Sequence, residues 1–243
     1  MTTRKRAAPL GFGSALHGGI KNLYRGEKEK NYDLIRSYIP KQGEELRTQA
    51  KLQTVLEEYE KAKFPMIWEI VAIEEPIQFE ISGKIFIVVP DLVVKWRDQL
   101  YVVEHKHSTR LTDNFFRKFQ RDSQIDIEML GVIEKYGSCA GVYVNAIIIR
   151  KGGPKSKLAE VEILMDLITR DEKQLKEARV YFSDWANKIN DEVDYLENRR
   201  SCFDYNSTCD FIGLCNGTVK IDSELYEKRE RSLNLVFKQE DEE

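Results

Sequence analysis

No apolar run in this sequence approaches the roughly 20 residues that cross a bilayer, and the opening stretch MTTRKRAAPLGFG lacks the apolar core of a secretory signal. A membrane span and an exported product are therefore set aside, and a cytoplasmic location is expected. Cysteine is scarce: the first 138 residues contain none, and three of the four, Cys202, Cys209 and Cys215, fall in the last fifth of the chain. In a reducing compartment that clustering points to a metal or cluster site more than to disulfides. An excess of one charge is also missing, with 38 Lys+Arg against 41 Asp+Glu and a net charge of -3. Any polyanionic partner must then be held by a local basic groove. There is no internal repeat and no low-complexity linker. What remains is 243 residues, 42% hydrophobic and 33% charged, the profile of a globular protein long enough for one full core.

The segment GFGSALHGGIKNLYR, from Gly11 to about Arg25, reads as a glycine-rich helix in which Leu16, Ile20 and Leu23 form one apolar stripe with His17 beside it. Residues 32 to 63 are helical and charged, buried through Leu34, Ile35, Tyr38, Leu46, Leu52, Val55, Leu56 and Tyr59, and split by Pro40 and Gly43. From Met66 the pattern becomes short Ile-, Val- and Phe-rich runs (MIWEIVAI, IQFEI, KIFIVVPDLVVKW, QLYVVEHK), which predict a meander of antiparallel strands. A helix follows over 114–136, closed by Gly137. Strands are expected over 141–151 and 161–168, then a long charged helix over 170–199 and an acidic tail. The order predicts a mixed α/β fold in a single domain spanning 1–243: N-terminal helices over 11–63, a core over 66–168, and a C-terminal helix, cysteine segment and tail over 170–243.

One stretch is at odds with an ordinary buried hairpin. PDLVVKWRDQLYVVEHK, residues 90–106, sets Asp91, Glu104 and Lys106 inside two apolar runs, where unpaired charge is costly. A two-residue turn at Arg97 and Asp98 pairs Trp96 with Gln99, so that the residue numbers of every cross-strand pair sum to 195 and Asp91 lies opposite Glu104. Opposed side chains have Cβ atoms about 4.5–5.5 Å apart, and like charges there call for a cation between them. Lys106 shares the face of Glu104, while His105 points the other way. Two carboxylates beside an ammonium suit a hard divalent cation with a reactive water. The competing reading is a solvated strand face. Pro90, which cannot donate to the ladder, marks a strand start, an edge or a bulge next to Asp91.

Pro90, Asp91, twelve intervening residues and then Glu104, His105 and Lys106 resemble the signature of the PD-(D/E)XK nucleases. Three further features resemble the RecB-like exonuclease branch, with its CRISPR-associated and phage members: Gly13 and His17 as Gly-x-x-x-His, Gln124 on the helix after the Lys106 strand, and the C-terminal Cys202, Cys209 and Cys215. The resemblance spans about residues 11–215. It implies a restriction-endonuclease-like core, a central mixed β-sheet flanked by helices. It implies Mg²⁺ or Mn²⁺ held by Asp91, Glu104, His17 and the main-chain carbonyl of His105, with Lys106 positioning or helping to deprotonate water and Gln124 orienting water, lysine or DNA. The implied activity is phosphodiester hydrolysis by an exonuclease on free or single-stranded DNA ends, in recombination, repair or phage DNA processing, within a bacterial or phage-infected cell. A homo-oligomer or a recombination partner protein would fit that setting. The alternatives are an inactive DNA-binding or assembly subunit and a restriction-like endonuclease.

Read alone, His17 is equally a core or capping histidine, and Gln120, one turn before Gln124, competes for its part. The chain also departs from its relatives: Val88 stands where they have glycine, Glu128 where they have tyrosine four residues after the glutamine, and His107 where threonine follows the lysine, with Thr109 two residues on. Cluster-bearing relatives draw a fourth cysteine from near the N-terminus. A cluster normally needs four thiolates, so Cys139 would have to replace it; zinc with a histidine, or buried thiols, are the alternatives. Candidate phosphate contacts are Arg110, Arg117, Lys118 and Arg121, with Phe115, Phe116 and Tyr101 as stacking groups, against a solvated helix face packed by phenylalanines.

Overall fold

The short β-branched runs become strands and the 3.6-periodic ones helices, in the order β1 (Thr2–Thr3), α1 (Ala8–Tyr24), α2 (Lys30–Ser37), α3 (Gln49–Lys61), β2 (Glu69–Ile73), β3 (Ile77–Ile81), β4 (Lys84–Val88), β5 (Leu92–Trp96), β6 (Gln99–Ser108), α4 (Ser123–Tyr136), β7 (Gly141–Ile149), β8 (Val161–Ile168), α5 (Glu172–Asn190), α6 (Ile212–Cys215) and β9 (Tyr226–Glu227). The computed structural model describes residues 2–3, 8–40, 46–62, 68–151, 160–190, 209, 211–220 and 226–227. They fall into two compact units, Ala8–Val193 and a second made of Met1–Ala7 with Asp194–Glu243. In the second unit β1 pairs antiparallel with β9, and α6 is a single turn.

The larger unit is built on a mixed five-stranded sheet of order β2-β5-β6-β7-β8. Only β6 and β7 run parallel, joined through α4; the other neighbours are antiparallel. All nine residues of β7 are buried, as a central strand covered on both faces requires. One face, with Val93, Val102, Val144, Ala146 and Ile148, packs on Phe79, Ile125, Met129, Leu130 and Phe182 from β3, α4 and α5. On the other face Ile147 and Ile149 meet Phe12, Leu16, Ile20, Leu52, Val55, Leu56 and Tyr59 from the N-terminal helices, and Leu92, Val94, Tyr101, Val103 and Tyr143 gather with Trp68. The stripe of Leu16 and Ile20 thus faces the core as its spacing predicts.

The hairpin register is as its turn dictates. Arg97 and Asp98 both take left-handed angles, φ 49° and 62°, the geometry that matches the twist of paired strands. Trp96 pairs with Gln99 and Leu92 with Val103. Two expectations are corrected. The strands over 66–106 are not one meander: β3 and β4 pair only with each other, and β2 skips them to pair with β5. The helix over 114–136 is broken, with a 3₁₀ turn over Arg117–Arg121 and then α4, whose N-cap Asp122 is extended and accepts from the Gln124 N–H at 2.9 Å. A capping carboxylate satisfies an amide the helix leaves unbonded, and that is what divides the segment. The expected helix beyond Asn190 lies outside the described residues.

Helix α1 sits unusually close to its neighbours. A Cβ on Gly19 would lie 2.6 Å from both Leu56 methyls, and one on Gly13 would lie 3.0 Å from His107 Cε1. Gly19→Ala is expected to destabilise by about 1–3 kcal/mol through overpacking. In the double variant with Leu56→Ala the two losses should sum to less than additively, as read from denaturant midpoints. His107 supplies a pH-dependent contribution. Burial, then the positive charges of His17, Arg47 and Lys106, push its pKa down to about 4, against about 6.5 unfolded. Between these values the unfolded chain binds the extra proton, so stability falls as pH drops from 6.5 to 4. Relative to His107→Phe, the wild type should lose on the order of 1–2 kcal/mol across that window, the site being partly exposed to solvent; parallel pH profiles would refute it.

Candidate active site

Strand alternation places Glu104 and Lys106 on the α4 face of β6, beside Val102. Lys106 Nζ donates to Glu104 Oε1 at 2.7 Å and to Gln124 Oε1 at 2.8 Å. Gln124 Nε2 donates back to Glu104 Oε1 at 2.8 Å and also to Glu128 Oε1 at 2.7 Å. Gln124 stands in the first turn of α4 because Asp122 starts the helix there, and Glu128, four residues on, shares its face. Glu104 is 4% exposed. Burial, then the Asp91 charge, raises its carboxyl above the usual range despite Lys106 and Gln124. Burial opposes the charge on Lys106, but Glu104 outweighs it, and the ammonium titrates above its usual range.

The ladder keeps the predicted register, and its first pair, Leu92 with Val103, stands one pair short of Asp91 and Glu104. The β5 ladder begins at Leu92, after Pro90, which frees the Asp91 side chain to swing across the strand end. Its Oδ2 accepts the main-chain N–H of His105 at 2.8 Å, and its Oδ1 meets His17 Nδ1 at 3.0 Å. The His105 ring lies on the other face from Glu104, as alternation predicts, and its Nδ1 is 3.3 Å from Asp91 Oδ2. Since the carboxylate only accepts, Nδ1–H donates to it and Nε2 receives the Tyr59 hydroxyl at 2.8 Å. Tyr59 is bonded in turn by Asn145 Nδ2 at 3.2 Å and by the Tyr24 hydroxyl at 2.8 Å. Burial alone would raise the Asp91 carboxyl, but the bonds from His105 and His17 hold it well below the usual carboxylate range. Burial likewise works to lower the His17 pKa, and the bond to Asp91 more than reverses it.

A cavity of about 10 Å³ lies beside Asp91, walled by His17, Ile20, Lys21, Glu74, Leu92 and His105, room for the centre of one water-sized sphere. Glu74 holds a left-handed φ of 45° there, and its N–H donates to the Asp91 carbonyl at 3.0 Å. A larger groove lined by Gln120, Arg121, Asp126 and Arg170 shares none of these residues.

His17, Asp91, the consecutive Glu104, His105 and Lys106, and Gln124, drawn from four places in the sequence, are therefore neighbours in space. Gln120 is exposed and is not in the network. Arg110, Arg117, Lys118 and Arg121 are exposed, and Lys118 Nζ lies 4.8 Å and 4.7 Å from the Phe115 and Phe119 ring centres. Two expected stacking groups are corrected: Phe115 and Tyr101 are core residues, 6% exposed each, the latter 5.0 Å from the Tyr143 ring. Phe116 is partly buried against the core. Cys202 lies outside the described residues. Cys209 and Cys215 belong to the smaller unit, and among the described residues these two and Cys139 are free thiols. Cys139 donates to the Gly141 carbonyl at 3.5 Å, and burial pushes its thiol up to about 11. The sequence reading missed Glu128, Tyr59 and Glu74 as members of the network; the i, i+4 spacing from Gln124 was the available signal for Glu128.

The donors present suit a hard cation: the buried Glu104 carboxyl, the part-buried Asp91 carboxylate and a histidine, with the Asp91 charge pushing the Glu104 carboxyl upward. Among the described residues no three His, Cys, Asp or Glu side chains converge as a ready-made metal cluster. Among the described residues, no helix is long and apolar enough to cross a membrane.

Among solved structures the chain is similar to a candidate exonuclease from Eubacterium rectale, at 13% identity and a TM-score of 0.58, over 98% of this chain and 82% of that one. A second structure, SSO0001, aligns at 13% identity and a TM-score of 0.34 over 82% and 94%. The first likeness supports the fold, a mixed sheet flanked by helices. No curated protein matches. The family model described as the PD-(D/E)XK nuclease superfamily matches residues 2–216, nearly the whole sequence, and the chain belongs to that superfamily.

Proposed function

We propose that the chain is a divalent-metal-dependent deoxyribonuclease, an exonuclease that hydrolyses phosphodiester bonds at DNA ends. The observation that carries this reading is the part-buried Glu104–Lys106–Gln124 triangle next to Asp91. Charged groups are rarely assembled in a core without a task, and a carboxyl with a perturbed pKa beside a fixed ammonium is typical of a working site.

Asp91 and Glu104 are the residues to hold Mg²⁺ or Mn²⁺, with His17 and the His105 carbonyl as the further donors the family resemblance implies. Such an ion, when bound, polarises the phosphate and lowers the pKa of water. The protein's own part is positional. The His105 amide fixes the Asp91 carboxylate, and the Tyr59 hydroxyl fixes the His105 ring. Lys106 brings a donor ammonium to the face where phosphate charge grows, and Gln124 holds that ammonium beside Glu104. Placed donors of this kind act on the charge that develops in the transition state. The exposed Arg110, Arg117, Lys118 and Arg121 supply a local basic surface for the DNA backbone in a chain whose net charge is -3. Intact Asp91, Glu104 and Lys106 argue against an idle subunit, and His17, in the Gly-x-x-x-His that resembles the RecB-like exonuclease branch, supports the end-directed reading.

Purified protein should degrade linear DNA with Mg²⁺ or Mn²⁺, stop with EDTA, and spare covalently closed circles. Asp91→Ala and Lys106→Ala should each lower the rate by about 10²–10³ or more while leaving the circular dichroism spectrum intact. Equal rates in wild type and variants, or none in either metal, would end the nuclease reading. Cutting of circles would turn it into an endonuclease.

A further inference from the structure

The Gln124 carboxamide is held at three points. Its oxygen accepts from Lys106 at 2.8 Å, one nitrogen bond goes to Glu104 Oε1 at 2.8 Å, and the other goes to Glu128 Oε1 at 2.7 Å. Lys106, which only donates, and Glu104, which accepts, bond each other and decide which end of the amide faces each, but they leave the second Nε2 hydrogen without a partner. Glu128 is the third fixed point. It is 4% exposed, flanked in α4 by the buried Met129 and Ile125, and its Oε2 has no hydrogen-bond partner. Packing does not call for an acid there, because leucine or methionine would fill the space without a desolvated oxygen. Burial, then the charge of Glu104, pushes its carboxyl well above the usual range.

We propose that Glu128 is a positioning residue: by accepting the second Nε2 hydrogen of Gln124 it fixes the plane in which the carboxamide lies between Lys106 and Glu104. The role rests on the nuclease reading for its effect on rate, but the clamp itself is a property of the fold. Glu128 makes no hydrogen bond to Lys106 and does not line the cavity beside Asp91, so its bonded contact with the site is through Gln124.

Glu128→Leu removes the acceptor at similar volume, while Glu128→Gln keeps an acceptor in a neutral side chain. With linear DNA and Mg²⁺, Glu128→Leu should lower kcat about tenfold or more with KM within about twofold, since a misplaced group beside the chemistry weakens the step and not the binding. Glu128→Gln should recover most of that loss. An unchanged kcat in the leucine variant overturns the proposal, as does an equal loss in both variants, which would assign the effect to something other than the acceptor. Side-chain amide NMR supplies a readout free of activity. The Gln124 NH₂ protons should exchange slowly with solvent in wild type and Glu128→Gln and rapidly in Glu128→Leu, with all three folded by circular dichroism. A wild type without nuclease activity but with that exchange pattern would remove the nuclease reading and keep the clamp; rapid exchange in wild type would remove the clamp.

Discussion

A carboxylate buried in the middle of an apolar strand needs compensation, and Glu104 on β6 is where this fold meets that requirement. Desolvation raises the energy of its charge, and an ammonium alone is a compact donor on a flexible stem. Lys106 therefore comes with Gln124, and Gln124 comes with a helix that must begin at Ser123 for its side chain to reach the strand. The broken segment before α4, the Asp122 cap and the approach of α4 to the sheet all follow. Gly131 belongs to the same set, because a Cβ there would meet Val88 Cγ2 at 2.6 Å.

The other face of β6 solves a second problem with different chemistry. Asp91 lies past the end of its ladder, so no strand pairing orients it. A main-chain amide, two imidazoles and, behind them, two tyrosines and an asparagine do so instead. Each donor in that series has one acceptor, and the series ends at the only member that accepts without donating. The result is a carboxylate whose direction is set from α1, α3 and β7 together, while Glu104 is set from α4. The two acids of the site are thus supported by opposite layers of the sandwich.

Much of this was readable beforehand because it depends on local rules. The turn at Arg97 and Asp98 fixes the pairing arithmetic of β5 with β6, and alternation then assigns Glu104, Lys106 and His105 to their faces. Helical spacing identified Leu16, Ile20, Leu52 and Val55 as core. What failed depended on non-local facts. Pro90 stops the ladder one residue short, so pairing alone does not say what holds the Asp91 side chain. The β3–β4 hairpin looks like part of a meander until β2 is seen to pair with β5. Phe115 has the composition of a stacking group and the location of a core residue, and only its neighbours distinguish them. Glu128 was noted as a departure from related sequences, yet its role needed the rotamer of Gln124.

The parallel pairing of β6 with β7 joins residues forty positions apart, Tyr101 with Gly141 through Ser108 with Ile148. Hairpins close early in folding because their ends are near in sequence, whereas a parallel pair must first order its whole crossover. Glu104 and Lys106 sit on the strand that waits for this event, and Gln124 sits within the crossover itself. The charged triangle therefore depends on that crossover: the β5–β6 hairpin can pair from local sequence, whereas Glu104 and Lys106 meet Gln124 only where the segment between β6 and β7 is ordered.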